Sequence, residues 1–440
     1  MFPPKKQNIS PFVPSATVYT KARNSFNDII TPVKHDIIFN LIQQEEKRQR
    51  DTLMLIPSEN YASKAVREAL GSVLTNKYSE GYPGKRYYQG NQVADQVEQL
   101  VIDRAKQLFG VPFANVQPYS GSPANLAVYL SLAKPGQKIM GMELRAGGHL
   151  THGSAVNFSG KLFQSVSYSV GADGWIDYDE IARQAKKFQP KLIWAGATAY
   201  PRIIDWQKFA KIADSIGAWL VADVAHYAGL IVGGAYPSPV PFVDIITTTT
   251  HKTLRGPRGA MILVTKKGLK KDAQLGDKIN RWIFPGLQGG PHLNNIAAIA
   301  VALEEANQPV FKNYARQIVK NAQALAGELQ KYGYNLVTGG TDNHLILIDL
   351  RQNKSDGKKA AVILEKSGII VNANAVPHDP SSPLYPSGIR LGTPAVTTQG
   401  MKEKEMKLIA GLINDSLKGK NVYSQVMKLC QKFSSYESNY

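Results

Sequence analysis

Thr247-Thr248-Thr249-Thr250-His251-Lys252-Thr253-Leu254-Arg255-Gly256-Pro257-Arg258-Gly259 follows a short apolar run, Val243 to Ile246, that reads as a buried strand. A lysine in a tight polar turn just past such a strand is poorly placed as a surface charge. It is well placed for chemistry at the carboxyl end of a sheet, where ligands of open α/β folds gather. Upstream, Trp219-Leu220-Val221-Ala222 is another apolar run, and it ends in Asp223-Val224-Ala225-His226. Working outward, Lys138 to Met142, Leu192 to Ala195, Trp219 to Ala222, Ile245 to Thr248 and Met261 to Val264 read as strands, with Tyr178 to Phe188 and Trp206 to Ile216 as helices between them. This alternation predicts an α/β fold with a mostly parallel sheet and helices on both faces.

Amphipathic spacing predicts further helices over Asp36 to Asp51 and Asp95 to Phe109. After a helical stretch ending near Tyr332 an α+β pattern begins, with Leu345 to Leu350 as a strand and Lys402 to Lys418 as a helix. We place the domain change near residue 310. The expected organisation is an N-terminal extension (1–35), an arm and large domain (36–310) and a small C-terminal domain (311–440).

The chain has 440 residues, 43% of them hydrophobic, which is ample for a large core and fits two or three domains of ~100–200 residues. No run approaches the ~20 apolar residues of a membrane span. With a single cysteine, Cys430, no intrachain disulfide can form, and a reducing compartment is compatible. The first 35 residues hold Pro3, Pro4, Pro11 and Pro14 and lack an apolar signal-peptide core, so the expectation is cytoplasmic. The net charge of +18 raises the question of nucleic acid. The lysines stand in separate pairs, such as Lys186-Lys187 and Lys270-Lys271, without a zinc-ligand spacing or an RNA-recognition motif. Attraction of anionic substrates is the better reading, with no specific nucleic acid and no metal.

An acid at one strand end and a lysine at another suit pyridoxal phosphate. The lysine forms the Schiff base, and the acid keeps the pyridine nitrogen protonated so that the ring can take up electrons. Asp223 could instead cap a helix after its strand. Ser120-Gly121-Ser122-Pro123-Ala124-Asn125 reads as a phosphate cradle, with Ser122 capping a helix whose first residue is Pro123.

Longer blocks extend the pattern: Ser58 to Tyr61, Leu74 to Tyr88, Gly147 to Gly153, Phe284 to Pro291, Gly339 to His344 and Ser387 to Pro394. With these, the chain resembles serine hydroxymethyltransferases, pyridoxal-phosphate enzymes of the aspartate-aminotransferase fold type, in the family's order from about residue 36 to about residue 415. The resemblance implies a large cofactor domain, an N-terminal arm and a smaller C-terminal α+β domain. It makes Lys252 the Schiff-base lysine and Asp223 the partner of the ring nitrogen. His149 is implied to stack on the ring, His226 to lie near its phenolic oxygen, and His251 and Thr198 to lie beside the cofactor. Gly121 and Ser122 match the phosphate-holding residues, while Gly290 and Tyr78 match residues that reach the phosphate of a neighbouring subunit.

For the amino acid, the resemblance implies Arg390 on the α-carboxylate, assisted by Ser58. Glu80 matches the proton-transfer group at the hydroxymethyl, and Tyr88 a tyrosine near the active lysine, oriented by Arg258. Folate contacts match Leu144, Gly148, His149 and Leu150, then Ser382, Pro383 and Leu384, with Leu384 where the family commonly has phenylalanine. The implied activity is reversible conversion of L-serine and tetrahydrofolate to glycine and 5,10-methylenetetrahydrofolate by a homodimer, or a tetramer, with shared sites. Two alternatives stay open: a folate-independent pyridoxal-phosphate aldolase of 3-hydroxy amino acids, and a basic RNA-binding protein on an inactive enzyme scaffold.

Overall fold

The computed structural model describes residues 36–353, 355–382 and 384–433. The expectations for residues 1–35 and for Pro383 lie outside the described residues. Residues 36–50 form a unit of their own, helix α1 (Ile37–Asp51), in which Arg48 pairs with Glu45 at 2.7 Å.

The remaining chain is built on a seven-stranded sheet. Its strands are β1 (Phe113–Asn115), β2 (Lys138–Met142), β3 (Gln164–Tyr168), β4 (Leu192–Ala195), β5 (Trp219–Asp223), β6 (Ile245–Thr249) and β7 (Ala260–Val264). They run in the order β1-β7-β6-β5-β4-β2-β3, and all are parallel except where β7 meets β6 and β1. The five strands expected from sequence are all present. The period of two sorts their side chains onto opposite faces. Ile193 and Ala195 join one core and Leu192 and Trp194 the other; Leu220 and Ala222 separate from Trp219 and Val221 in the same way.

Helices cover both faces. On one side lie α2 (Gln92–Phe109), α4 (Tyr178–Phe188) and α5 (Trp206–Ser215), through Val101, Ile181 and Phe209. On the other lies α3 (Gly121–Leu132), through Ala124, Ala127 and Val128. Asp177 and Asp205 cap α4 and α5 through the amides of Glu180 and Lys208, which satisfies donors that the first turn leaves unpaired. The chain passes from β2 to β3 on one side and returns to β4 on the other. That reversal opens a crevice at the carboxyl ends of the strands.

Helix α6 (Leu293–Asn307) leads into α7 (Pro309–Lys331), which belongs to two cores. Phe311, Ala315 and Ile318 pack in the large core, and Leu325, Ala326 and Leu329 in a second one. The second core surrounds an antiparallel sheet of β8 (Asn335–Leu336), β9 (Leu345–Asp349), β10 (Asn372–Asn374) and β11 (Gly388–Gly392), in the order β8-β9-β11-β10, backed by α8 (Glu403–Leu417). Leu53 and Leu55, from just after α1, also lie in it.

Candidate active site

Lys252 sits three residues beyond β6, in the loop that turns the chain back into antiparallel β7. Thr250 closes this loop through its amide to Gly259 O at 3.1 Å and its hydroxyl to Pro257 O at 2.6 Å. A Cβ on Gly256 would lie 2.7 Å from Thr250 O, so the tight turn needs glycine there. Asn60 holds the Lys252 carbonyl at 3.0 Å, and the ammonium donates to Thr249 Oγ1 at 2.9 Å. Burial brings the ammonium down from its ordinary value to about 8; the Asp223 carboxylate opposes that, and Arg258 and Arg390 add to it.

Asp223 ends β5 and faces the same cavity of about 430 Å³. It caps no helix, since the next one begins at Ala228. Its Oδ2 accepts from His152 Nε2 at 3.1 Å and Asn125 Nδ2 at 3.0 Å, and its Oδ1 from the Ala225 amide at 3.1 Å. Burial alone would raise this carboxyl; the hydrogen bond and charge of His152, then His149 and Asn125, hold it well below the usual carboxylate range. Asp223 therefore stays anionic throughout the physiological range.

His149 lies in the turn after β2. Its Nδ1 takes the Thr151 amide at 3.2 Å and lies 2.7 Å from the Thr151 hydroxyl, which is itself bonded by Asn125 at 2.8 Å. Burial and neighbouring His152 lower His149 to about 4, so the ring is neutral. His226 also lines the cavity, with Nδ1 3.2 Å from His344 Nε2. Burial keeps both uncharged, His344 at about 3.

At the anion end, α3 begins two residues earlier than the sequence suggested. Ser120, not Ser122, is the cap position, because extended Ser120 supplies the carbonyl that takes the Ala124 amide at 3.2 Å, and Pro123 becomes the third helical residue. The amides of Gly121 and Ser122 have no acceptor among the described residues, which leaves a positive helix end aimed at the cavity. A Cβ on Gly121 would meet Thr249 Cγ2 at 3.0 Å. The buried Thr247 hydroxyl and His251 Nδ1, both on the cavity lining, likewise have no hydrogen-bond partner among the described residues.

The antiparallel sheet contributes Arg390 from the middle of β11. Its Nε donates to Asn372 Oδ1 at 3.0 Å, and its guanidinium reaches Thr198 O on the loop after β4. No carboxylate pairs with it among the described residues, and burial lowers it to about 10. Ser58, Thr198 and Arg258 complete the same lining.

Tyr78, Glu80, Tyr88 and Gly290 do not line this cavity. They form a cluster of their own. Tyr78 Oη donates to Glu80 Oε1 at 3.2 Å, the Tyr78 and Tyr88 rings meet edge-on at 5.2 Å, and a Cβ on Gly290 would touch the Tyr78 ring at 3.2 Å. No hydrogen bond joins Tyr88 to Arg258 among the described residues. Leu144 and Leu150 are exposed on two single turns after β2, with Gly148 between them; Thr198 Oγ1 donates to Gly148 O at 2.9 Å. Ser382 and Leu384 lie on an exposed loop whose base is gathered by the Asp379 carboxylate, which accepts from Ser387 Oγ at 2.7 Å and from the Ser381 amide at 2.9 Å.

Asn125, Thr151 and His152 were present in the sequence blocks but carried no assigned role. Only their convergence on Asp223 and His149 reveals one. His149, His152 and Asp223 also place three ligand-type atoms within 4.8 Å of one another, and the hydrogen bonds above account for that closeness without an ion.

A mostly parallel seven-stranded sheet with helices on both faces, carrying a buried amine and an ionised carboxylate at the carboxyl ends of its strands, has the fold of a pyridoxal-phosphate-dependent transferase. Residues 32–413 match the family profile described as serine hydroxymethyltransferase. The chain is 54% identical over 403 residues to "Serine hydroxymethyltransferase" of Desulfotalea psychrophila, covering 90% of this chain and 93% of that protein. It is 58% identical over 379 residues to the protein of the same name from Acidothermus cellulolyticus, covering 86% and 87%. It is 52% identical over 419 residues to "Serine hydroxymethyltransferase 2" of Pseudomonas fluorescens, covering 93% and 99%. The chain belongs to the serine hydroxymethyltransferase family.

Proposed function

We propose that the chain converts L-serine and tetrahydrofolate reversibly to glycine and 5,10-methylenetetrahydrofolate, with Lys252 as the covalent anchor of pyridoxal phosphate. The observation that carries this is the joint lining of one cavity by Lys252, the anionic Asp223 and an Arg390 without a carboxylate partner among the described residues. When bound, pyridoxal phosphate supplies the electron sink at the substrate α-carbon.

The residues fit that group. The free Gly121 and Ser122 amides suit a phosphate at the start of α3. Asp223 would hold a proton on the ring nitrogen, and neutral His149 would pack against the ring. His226, His251 and Thr198 would enclose it. Arg390 clamps the serine α-carboxylate with a planar fork, helped by Ser58. Glu80 moves the proton at the hydroxymethyl oxygen, and Tyr88 stands near the active Lys252. Tyr78, Glu80, Tyr88 and Gly290 act in the cavity of a second copy of the chain, which makes the working unit a homodimer or a tetramer built of two such dimers. Tetrahydrofolate is bound by Leu144, Gly148 and Leu150 together with Ser382 and Leu384.

We further propose a cytoplasmic location, the domain partition 36–310 and 311–440, and no specific nucleic-acid partner. No described helix is long and apolar enough to cross a membrane. The test is serine cleavage with and without tetrahydrofolate. A strong dependence on folate is expected; equal rates would favour the folate-independent aldolase. RNA binding with a steep salt dependence and no cofactor uptake would favour the inactive scaffold.

A further inference from the structure

Glu80 stands on a short segment whose backbone is held to an unusual degree. The Arg86 side chain is 4% exposed, and one of its terminal nitrogens donates to both Ser79 O at 2.8 Å and Gly81 O at 2.9 Å, the carbonyls on either side of Glu80. The Glu80 carbonyl takes the Tyr87 amide at 3.1 Å, so three consecutive peptide oxygens are fixed. The guanidinium is itself anchored. Its other terminal nitrogen meets Glu98 Oε2 at 2.7 Å, with that side chain 1% exposed, and Nε meets Asp95 Oδ1 at 2.8 Å. Gln117 bridges Glu98 Oε1 and Gly81 O, both at 2.8 Å. Glu98 and Asp95 belong to α2 and Gln117 follows β1, so the segment is tied to the main body of the large domain.

A buried ion pair contributes little net stability, because desolvating two charges offsets most of their attraction. Its geometry is another matter. A guanidinium presents donors in a fixed plane, and here it spends them on two carbonyls and two carboxylates at once. An ammonium on a flexible stem cannot span all four. We infer that Arg86, anchored by Glu98, is the positioning residue for Glu80: it fixes the angle at which the Glu80 carboxylate meets the substrate hydroxyl. This rests on the reading of Glu80 as the proton-transfer group.

The test compares Arg86→Lys, Glu80→Gln and the double variant as holoenzymes in two reactions. Serine cleavage needs a proton moved at the hydroxymethyl oxygen; exchange of the glycine α-proton in D2O does not, because glycine lacks that group. Arg86→Lys should lower kcat for serine by about a hundredfold, the usual scale of a misplaced acid or base, with KM and glycine exchange nearly unchanged. The double variant should be no slower than Glu80→Gln alone, since both changes remove one interaction. Exchange of the Tyr87 amide should quicken in Arg86→Lys and not in Glu80→Gln. Gln117→Leu, which leaves no charge unpaired, should show the same selectivity more weakly and serves if Arg86→Lys folds poorly. Equal losses in both reactions, or losses that multiply in the double variant, would overturn the inference while leaving the role of Glu80 standing. Full serine turnover in Glu80→Gln would overturn both.

Discussion

Lys252→Met should make the cofactor-free protein more stable at neutral pH. Methionine keeps an unbranched apolar stem of similar length and removes the ammonium. In the native chain that ammonium is held at about 8 against an ordinary 10.5, mainly by burial. At ~1.4 kcal/mol per tenfold change, keeping it charged at pH 7 costs about 3 kcal/mol. The variant escapes this cost but loses the hydrogen bond to Thr249 Oγ1, worth about 1 kcal/mol. The net gain is about 2 kcal/mol.

Its pH dependence follows from linkage. Between about 8 and 10.5 the unfolded lysine binds a proton that the folded one does not, so native stability rises with pH across that window. The variant lacks this rise. Its advantage should be constant below about pH 8 and shrink to roughly zero by about pH 9.5. Urea denaturation of both cofactor-free proteins at pH 7 and pH 9.5 reads the difference, with the slope m as a check that the exposed surface is unchanged. A variant no more stable at pH 7, or an advantage that ignores pH, would refute the claim that Lys252 is held under electrostatic strain ready to shed its proton.

Arg390→Lys should raise KM for serine by about tenfold to a hundredfold, the loss expected when one charge-assisted fork becomes a point charge; steady-state kinetics decide it. Asp223→Asn should slow serine conversion by about a hundredfold or more while cofactor still attaches at Lys252, as followed by absorbance; an unchanged rate would separate Asp223 from the ring nitrogen. Mixing Lys252→Ala with Glu80→Gln, each at a small fraction of native activity alone, should restore about a quarter of native activity, since half of randomly assorted dimers carry one intact site of two. No recovery after subunit exchange would place both residues in the same chain's site.

The large sheet was legible because its central strands are continuous apolar runs ending in polar residues, as at Trp219–Asp223 and Ile245–Thr249. Gln164–Tyr168 was not, because an edge strand with one partner can be as polar as Gln-Ser-Val-Ser-Tyr. Phe113–Asn115 is too short for periodicity to register. Lys252 and Asp223 could be read from position alone, each at a strand end. Most other roles came through family resemblance, and the supporting residues stayed hidden. Asn125, Thr151 and His152 act through contacts across 71 or 98 positions of chain, or through a neighbour two residues away, and none of these has a local signature. The cap at Ser120 was misplaced by two residues because Ser122-Pro123 mimics a helix start; only the bond from Ala124 settles which serine stands outside the first turn.

Helix α7 has a further consequence. It runs unbroken for 23 residues with one end embedded in each hydrophobic core. Such a strut resists a clamshell motion, because swinging the small body outward would bend the rod or bare leucines to water. Arg390 is thus delivered to the cleft on a stiff frame, while the turns bearing Leu144, Leu150 and Leu384 stand clear of the packed interior.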